Sequence, residues 1–338
     1  MNLGKQTKSM QQMLILTLLV VGCVFFSGCG KKAQEKAYKV GILCGLDHFA
    51  VIPDNFKAKM TELGYIEGKN IVYDIQRTNF EPEKERQILE KFVKDKVDLI
   101  FAFPTEVSMA AKAVTQGTEI PVVFAVANIE GTGLVDSIIK PGGHIAGVRY
   151  PGPDLAVKHF EVMRELAPDA KRMWVPYQRG YSIVASQMEA LYPVAEAAGI
   201  TLIEFPADDA AELRAELDAR SKLDDIGFDA MLFIAEPLAV TSDAFTVMGK
   251  FAYEHNLPIG GVLMQAGDYG SIFGINVDIP KTGQQAAMLA DKILRGTPAG
   301  TIPVVSSESY LEINYKAAQE LGVPVSEGLL SRADKIIR

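Results

Sequence analysis

Short, wholly apolar runs separated by amphipathic stretches set the rhythm of this chain. Leu99 to Phe103 is one such run and Pro121 to Ala127 another, with a polar turn at Pro104, Thr105 and Glu106 and a helix of small residues between them. Runs of that length, bounded by turn residues, are what a parallel sheet covered on both faces requires, so the segment from Asp98 to Ala127 reads as a βαβ unit. In an open sheet of this kind the ligand crevice lies beyond the carboxyl ends of the strands, where helix amino termini offer free N–H groups. Thr105, Glu106 and Asn128 are therefore predicted to line a site.

The same alternation recurs along the chain. Lys39 to Cys44 reads as a first strand, followed by the loop from Gly45 to Phe49, a helix from Asp54 to Leu63 and a second strand from Asn70 to Gln76. Pro82 opens a helix with acids in its first turn and Ile88, Leu89, Phe92 and Val93 on one face. Ile145 to Tyr150 closes this half, and Pro151-Gly152-Pro153 marks a break in composition that reads as a hinge. Beyond it, strands are predicted at Met173–Tyr177, Leu202–Phe205, Ala230–Ala235 and Ile259–Leu263, with helices over 154–166, 183–198, 209–220 and 241–255. The run from Ser271 to Asn276, an amphipathic helix from Pro280 to Leu294 and an extended segment from Val304 to Ile313 complete the pattern. Two successive βα sets imply two doubly wound α/β lobes with the ligand cleft between them.

Composition agrees with two cores: 338 residues, 48% hydrophobic and 22% charged. The amino terminus changes the picture. Residues 1–28 carry Lys5 and Lys8 but no acid, then an apolar run from Met13 to Phe26, then small residues, which is the plan of a signal peptide. Phe26-Ser27-Gly28-Cys29 resembles the lipobox of bacterial lipoproteins, implying cleavage before Cys29, lipidation of its thiol and a tether over 29–37. The remainder holds 32 basic and 42 acidic residues, a net charge of −10, and no basic block, so nothing favours nucleic-acid binding. Only Cys29 and Cys44 remain, which excludes a disulfide framework and a CxxC redox pair.

Eight stretches in order resemble the ABC-transporter substrate-binding lipoproteins whose characterised members take up tryptophan and phenylalanine. They are VGIL at 40–43 with His48 five residues on, ELGYIEGKNI at 62–71, IPVVFAV at 120–126, PGGHIAGV at 141–148, FDAMLF at 228–233, TGQQAAMLADKILRG at 282–296, YLEINYKAAQELGV at 310–323 and LLSRADKII at 329–337. The resemblance implies the type I periplasmic-binding-protein fold, in which two lobes are joined by a hinge of three crossings. It places the first lobe at 38–148 plus 275–299 and the second at 149–274 plus 300–336, with crossings near Tyr150, Asn276 and Thr301. The chain departs from its relatives at Arg77–Phe80, Pro104–Glu106 and Glu236–Leu238, all cleft-facing, so the fold carries over while the ligand stays open.

On that frame, His48 is a loop or ligand contact, Glu106 and Glu236 supply one acid from each lobe for an ammonium or other polar ligand, and Tyr150, Tyr177 and Tyr181 offer rings for a planar one. Arg149 and Arg179 are the nearest cations for a ligand carboxylate, and Asn276 and Asp278 stand at the second crossing, where relatives place polar contacts. Trp174 reads as core. Cys44, Asp47 and His48 make a poor metal set, and no cofactor is expected. There is no GxSxG elbow, HExxH, P-loop or GxGxxG after the first strand, so catalysis is not expected. The expected protein is an exported, membrane-anchored monomer that captures an amino-acid-like solute and passes it to an ABC permease; the alternative is a binding module that reports to a sensor kinase.

Overall fold

The computed structural model describes residues 37–46 and 49–338. Its first sheet is built from β1 (Tyr38–Cys44), β2 (Ile71–Arg77), β3 (Leu99–Phe103), β4 (Val122–Ala127), β5 (Ile145–Arg149) and a late two-residue strand, Val305–Ser306. The late strand sits outside β5, and the order continues β5-β4-β3-β1-β2, with all pairs parallel. The helices between these strands are α1 (Val51–Glu62), α2 (Pro82–Lys94) and α3 (Thr105–Val114). Every side chain of β3 and β4 is buried, as runs with no polar alternation demand when both faces are covered. One face packs Phe56 and Met60 of α1, the other Leu89 and Phe92 of α2 with Val107 and Ala111 of α3.

The second sheet begins with α4 (Gly152–Leu166), β6 (Arg172–Gln178), α5 (Val184–Ala198), β7 (Thr201–Ala207), α6 (Ala210–Arg220) and β8 (Ala230–Leu232). After it come α7 (Pro237–Val240), α8 (Ser242–Glu254), β9 (Ile259–Gly260), a small hairpin of β10 (Gln265–Ala266) and β11 (Tyr269–Gly270), and β12 (Phe273–Val277). Strands β7-β6-β8-β9 are parallel, and a bridge between Gly261 and Gly274 extends them to β12. Trp174 in β6 is fully buried between Phe205 and Phe228, with ring centroids 5.6 and 5.5 Å away, as its place within a strand implied.

Strand pairing moves two of the three crossings. The first lies at Tyr150–Pro151, between β5 and α4. The second follows Val277 rather than preceding Asn276, because β12 pairs along its whole length with β14 (Ser309–Asn314) of the second lobe; α9 (Ile279–Leu294) then returns to pack on α1. The third falls at Ser307–Glu308 instead of near Thr301, because Val305 and Ser306, which form β13, pair with Val148 and Arg149 of the first sheet. Apolar patterning marks a segment as strand but carries no information about which of two sheets receives it. The chain ends in α10 (Tyr315–Glu320), α11 (Glu327–Arg332) and β15 (Lys335–Ile337), the last alongside β14.

Candidate ligand site between the lobes

The carboxyl ends of β3, β4 and β5 deliver Thr105, Asn128 and Tyr150, and those of β6 and β8 deliver Tyr181 and Glu236. Two observations bring the two sets together. Burial, then the negative charges of Glu106 and Glu236, push the Tyr181 phenol above its ordinary pKa, so a charge from each lobe acts on the same ring. Burial, then Tyr181, likewise raises Tyr150.

Asn128 is the most telling member. It is 2% exposed, its backbone N–H donates to Thr105 Oγ1 at 3.0 Å, and neither its side-chain nitrogen nor its oxygen has a partner. A buried amide left bare costs on the order of 1–3 kcal/mol per group, so it wants a ligand that both accepts and donates. Gly152, the first residue of α4, lies against it: a Cβ there would stand 3.3 Å from Asn128 Oδ1 and 3.5 Å from Gln187 Cγ. The chain at the first crossing is thus stripped to hydrogen where the amide passes. Beside Asn128, α3 starts at Thr105 with no side-chain cap on its first-turn N–H groups. Glu106, exposed in that first turn, acts on Tyr181 through its charge.

Other expected members have different work. Glu236 is 5% exposed, and its carboxylate accepts from the backbone N–H groups of Gln178 and Leu238 at 2.9 Å each and of Ala239 at 2.5 Å. It caps α7 and ties β6 to the loop after β8; burial raises its pKa against the pull of those three donors. Three of its lone-pair sites are spent on the fold, which makes it a support of the cleft wall. Asp278 caps α9 by accepting from Lys281 N at 2.9 Å, and the Asn276 amide turns to Glu312 at 3.5 Å, so both stabilise the second crossing. Arg149 is paired with Glu130 and Asp154 and donates to Ser306 at 2.9 Å, while Arg179 holds Asp208 at 3.0 Å and Glu212 at 2.6 Å. Both cations are thus held in ion pairs with acids of this chain. Tyr177 donates to Glu204 at 2.7 Å, away from the cluster. His48 and Cys29 lie outside the described residues. Among the described residues no group of three His, Cys, Asp or Glu side chains is arranged to hold a metal, and no helix is long and apolar enough to cross a membrane.

Gln187 is the supporting residue that sequence reasoning missed. Fully buried on α5, it accepts from Ala235 N at 3.0 Å and donates to Ala235 O at 2.8 Å and Ile183 O at 3.1 Å, fixing the loop that ends in Glu236. Its signal was present: a polar residue on the same helix face as Val184, Met188 and Leu191.

Comparison with known proteins agrees with the fold. The family model of ABC transporter substrate binding protein matches residues 39–337. A curated tyrosine-binding protein of Clostridioides difficile (strain R20291) is 28% identical over 331 residues, covering 91% of this chain and 92% of that protein. Among solved structures, a conserved domain protein from Vibrio cholerae superposes with a TM-score of 0.70 at 25% identity, covering 89% of this chain and 100% of that one. A Streptococcus pneumonia ABC domain in complex with L-Trp gives a TM-score of 0.72 at 23% identity, again over 89% of this chain and 100% of its own.

Proposed function

The chain belongs to the family of ABC transporter substrate-binding proteins, extracytoplasmic binders rather than enzymes, and on that premise we propose that its cleft captures an aromatic amino acid as the zwitterion. The single observation that carries the reading is the Asn128 amide, buried and bare at both atoms. An α-amino acid offers a carboxylate to accept from Nδ2 and an ammonium to donate to Oδ1. The first-turn N–H groups of α3 add donors for the carboxylate, and Glu106 adds a negative charge for the ammonium. Tyr150 and Tyr181 supply the wall against which a planar side chain packs. The tyrosine-binding relative and the L-Trp complex support the aromatic class. Hinge closure then buries the ligand, the closed form is handed to an ABC permease, and lipid at Cys29 keeps the protein at the membrane.

Thermal unfolding of residues 31–338 tests this. L-Tyrosine, L-tryptophan or L-phenylalanine at a hundredfold over its dissociation constant stabilises by about 2.7 kcal/mol. Tyramine and the corresponding des-amino acid, each lacking one half of the zwitterion, give much smaller shifts. A shift with sugars and none with amino acids overturns the proposal.

A further inference from the structure

We propose that Val126 is a positioning residue, whose β-bulge aims the Asn128 amide into the cleft; the inference rests on the reading of Asn128 as a ligand contact. Strand β4 alternates faces in the usual way up to Ala125. Val123 and Ala125 pack with α1 and α9, and Val122 and Phe124 with α2 and α3. Val126, due on the second face, joins Ala125 on the first, and Ala127 takes the second instead. The ladder shows the same event: Ala125 opposes Val148, Ala127 opposes Arg149, and Val126 opposes nothing.

One inserted residue inverts the facing of every side chain that follows. Without it, Ala127 and Asn128 would exchange sides. Two hydrogen bonds fix the inverted phase just past the bulge, Tyr150 N to Ala127 O at 2.9 Å and Asn128 N to Thr105 Oγ1 at 3.0 Å. The backbone is strained at the same point. Val126 has φ of +49°, a region that strains any residue bearing a side chain and suits a β-branched one least. Glycine would take that conformation freely. What valine adds is a side chain only 7% exposed, wedged into the face it shares with Ala125, which prevents the bulge from turning the other way. Strain kept at the base of a buried, unpartnered amide is the pattern expected where conformation serves binding.

A double-mutant cycle read by calorimetric titration of L-tyrosine and L-tryptophan tests the proposal. Val126→Gly folds, because glycine accepts the φ, but frees the bulge, and weakens binding about tenfold. Asn128→Ala weakens it at least as much, and the double variant is no worse than Asn128→Ala alone. Val126→Ala, which shortens the wedge and keeps the strain, falls between wild type and Val126→Gly. Binding by Val126→Gly within twofold of wild type, or an equal loss on both backgrounds, overturns the proposal. NMR of the Asn128 side-chain amide decides the question without ligand. Val126→Gly shifts its resonances and speeds its hydrogen exchange, while the Asn70 side chain, bonded to Gly64 O at 3.0 Å, stays unchanged. If wild type binds none of these amino acids, the proposed function fails, and unchanged Asn128 resonances in Val126→Gly then separately overturn the role of the bulge.

Discussion

Acid should destabilise the second lobe through one residue, His159. It lies on α4 just past the first crossing, is 1% exposed, and places Nδ1 3.0 Å from Phe233 O and Nε2 3.0 Å from Ile275 O. It thereby ties α4 to the end of β8, near Glu236, and to β12 near the second crossing. Two opposing effects act on the ring. Burial disfavours the charged form, while two carbonyl acceptors favour an imidazolium that donates from both nitrogens; burial is the larger, Lys158 adds to it, and the pKa falls from 6.5 to about 4. The native state then stays neutral while the unfolded chain takes up a proton below pH 6.5. Stability is fully present above that pH and is lost as pH falls toward 4, with no further loss below, where the native state protonates too. At pH 4.5 the loss reaches roughly 2–3 kcal/mol, most of the full value of about 3 kcal/mol for a displacement of this size. Urea unfolding of wild type and His159→Gln at pH 7.5 and 4.5 isolates the effect: the advantage of wild type shrinks by roughly 2–3 kcal/mol between the two. An advantage that grows on acidification, with His159 titrating above 6.5 by NMR, would mean that the two carbonyls hold an imidazolium, and the reasoning would be refuted.

The roles assigned to two other positions can be checked in the same way. Glu236→Ala strips the cap from α7 and leaves the Gln178 N–H bare, which together cost about 2–4 kcal/mol by urea unfolding. A cost below about 0.5 kcal/mol, with ligand binding abolished, would return that carboxylate to the ligand. At Gly147 of β5, a Cβ would stand 2.3 Å from Phe124 Cγ and 2.4 Å from the Phe124 carbonyl oxygen, and a backbone atom in a paired strand cannot give way. Gly147→Ala therefore lowers stability by about 1–3 kcal/mol in thermal unfolding, and an unchanged midpoint would show that the sheet yields there.

The order of strands and helices was legible in the sequence because each element carries its own period. β3 and β4 are unbroken apolar runs, α2 shows a helical stripe, and Pro, Gly and Asp punctuate the joints. The position of Asn128, Thr105 and Glu106 beyond strand ends followed from the same local signals. Three things did not. Which sheet receives Phe273–Val277 and Val305–Ser306 depends on partners far away in the chain, since the pairing energy is gained only when those partners meet. Whether an acid serves ligand or fold depends on the donors around it, and Glu236 met three backbone N–H groups that no spacing announces. The direction of the Asn128 side chain turned on a single extra residue at Val126, which the regular apolar run Val122–Ala127 conceals, because a bulge changes the phase of a strand without changing its composition. Sequence by itself determined the elements and the end of the sheet where a ligand belongs; tertiary structure decided which polar groups there are spent and which remain free, because hydrogen bonds between distant segments are settled only when the lobes have folded.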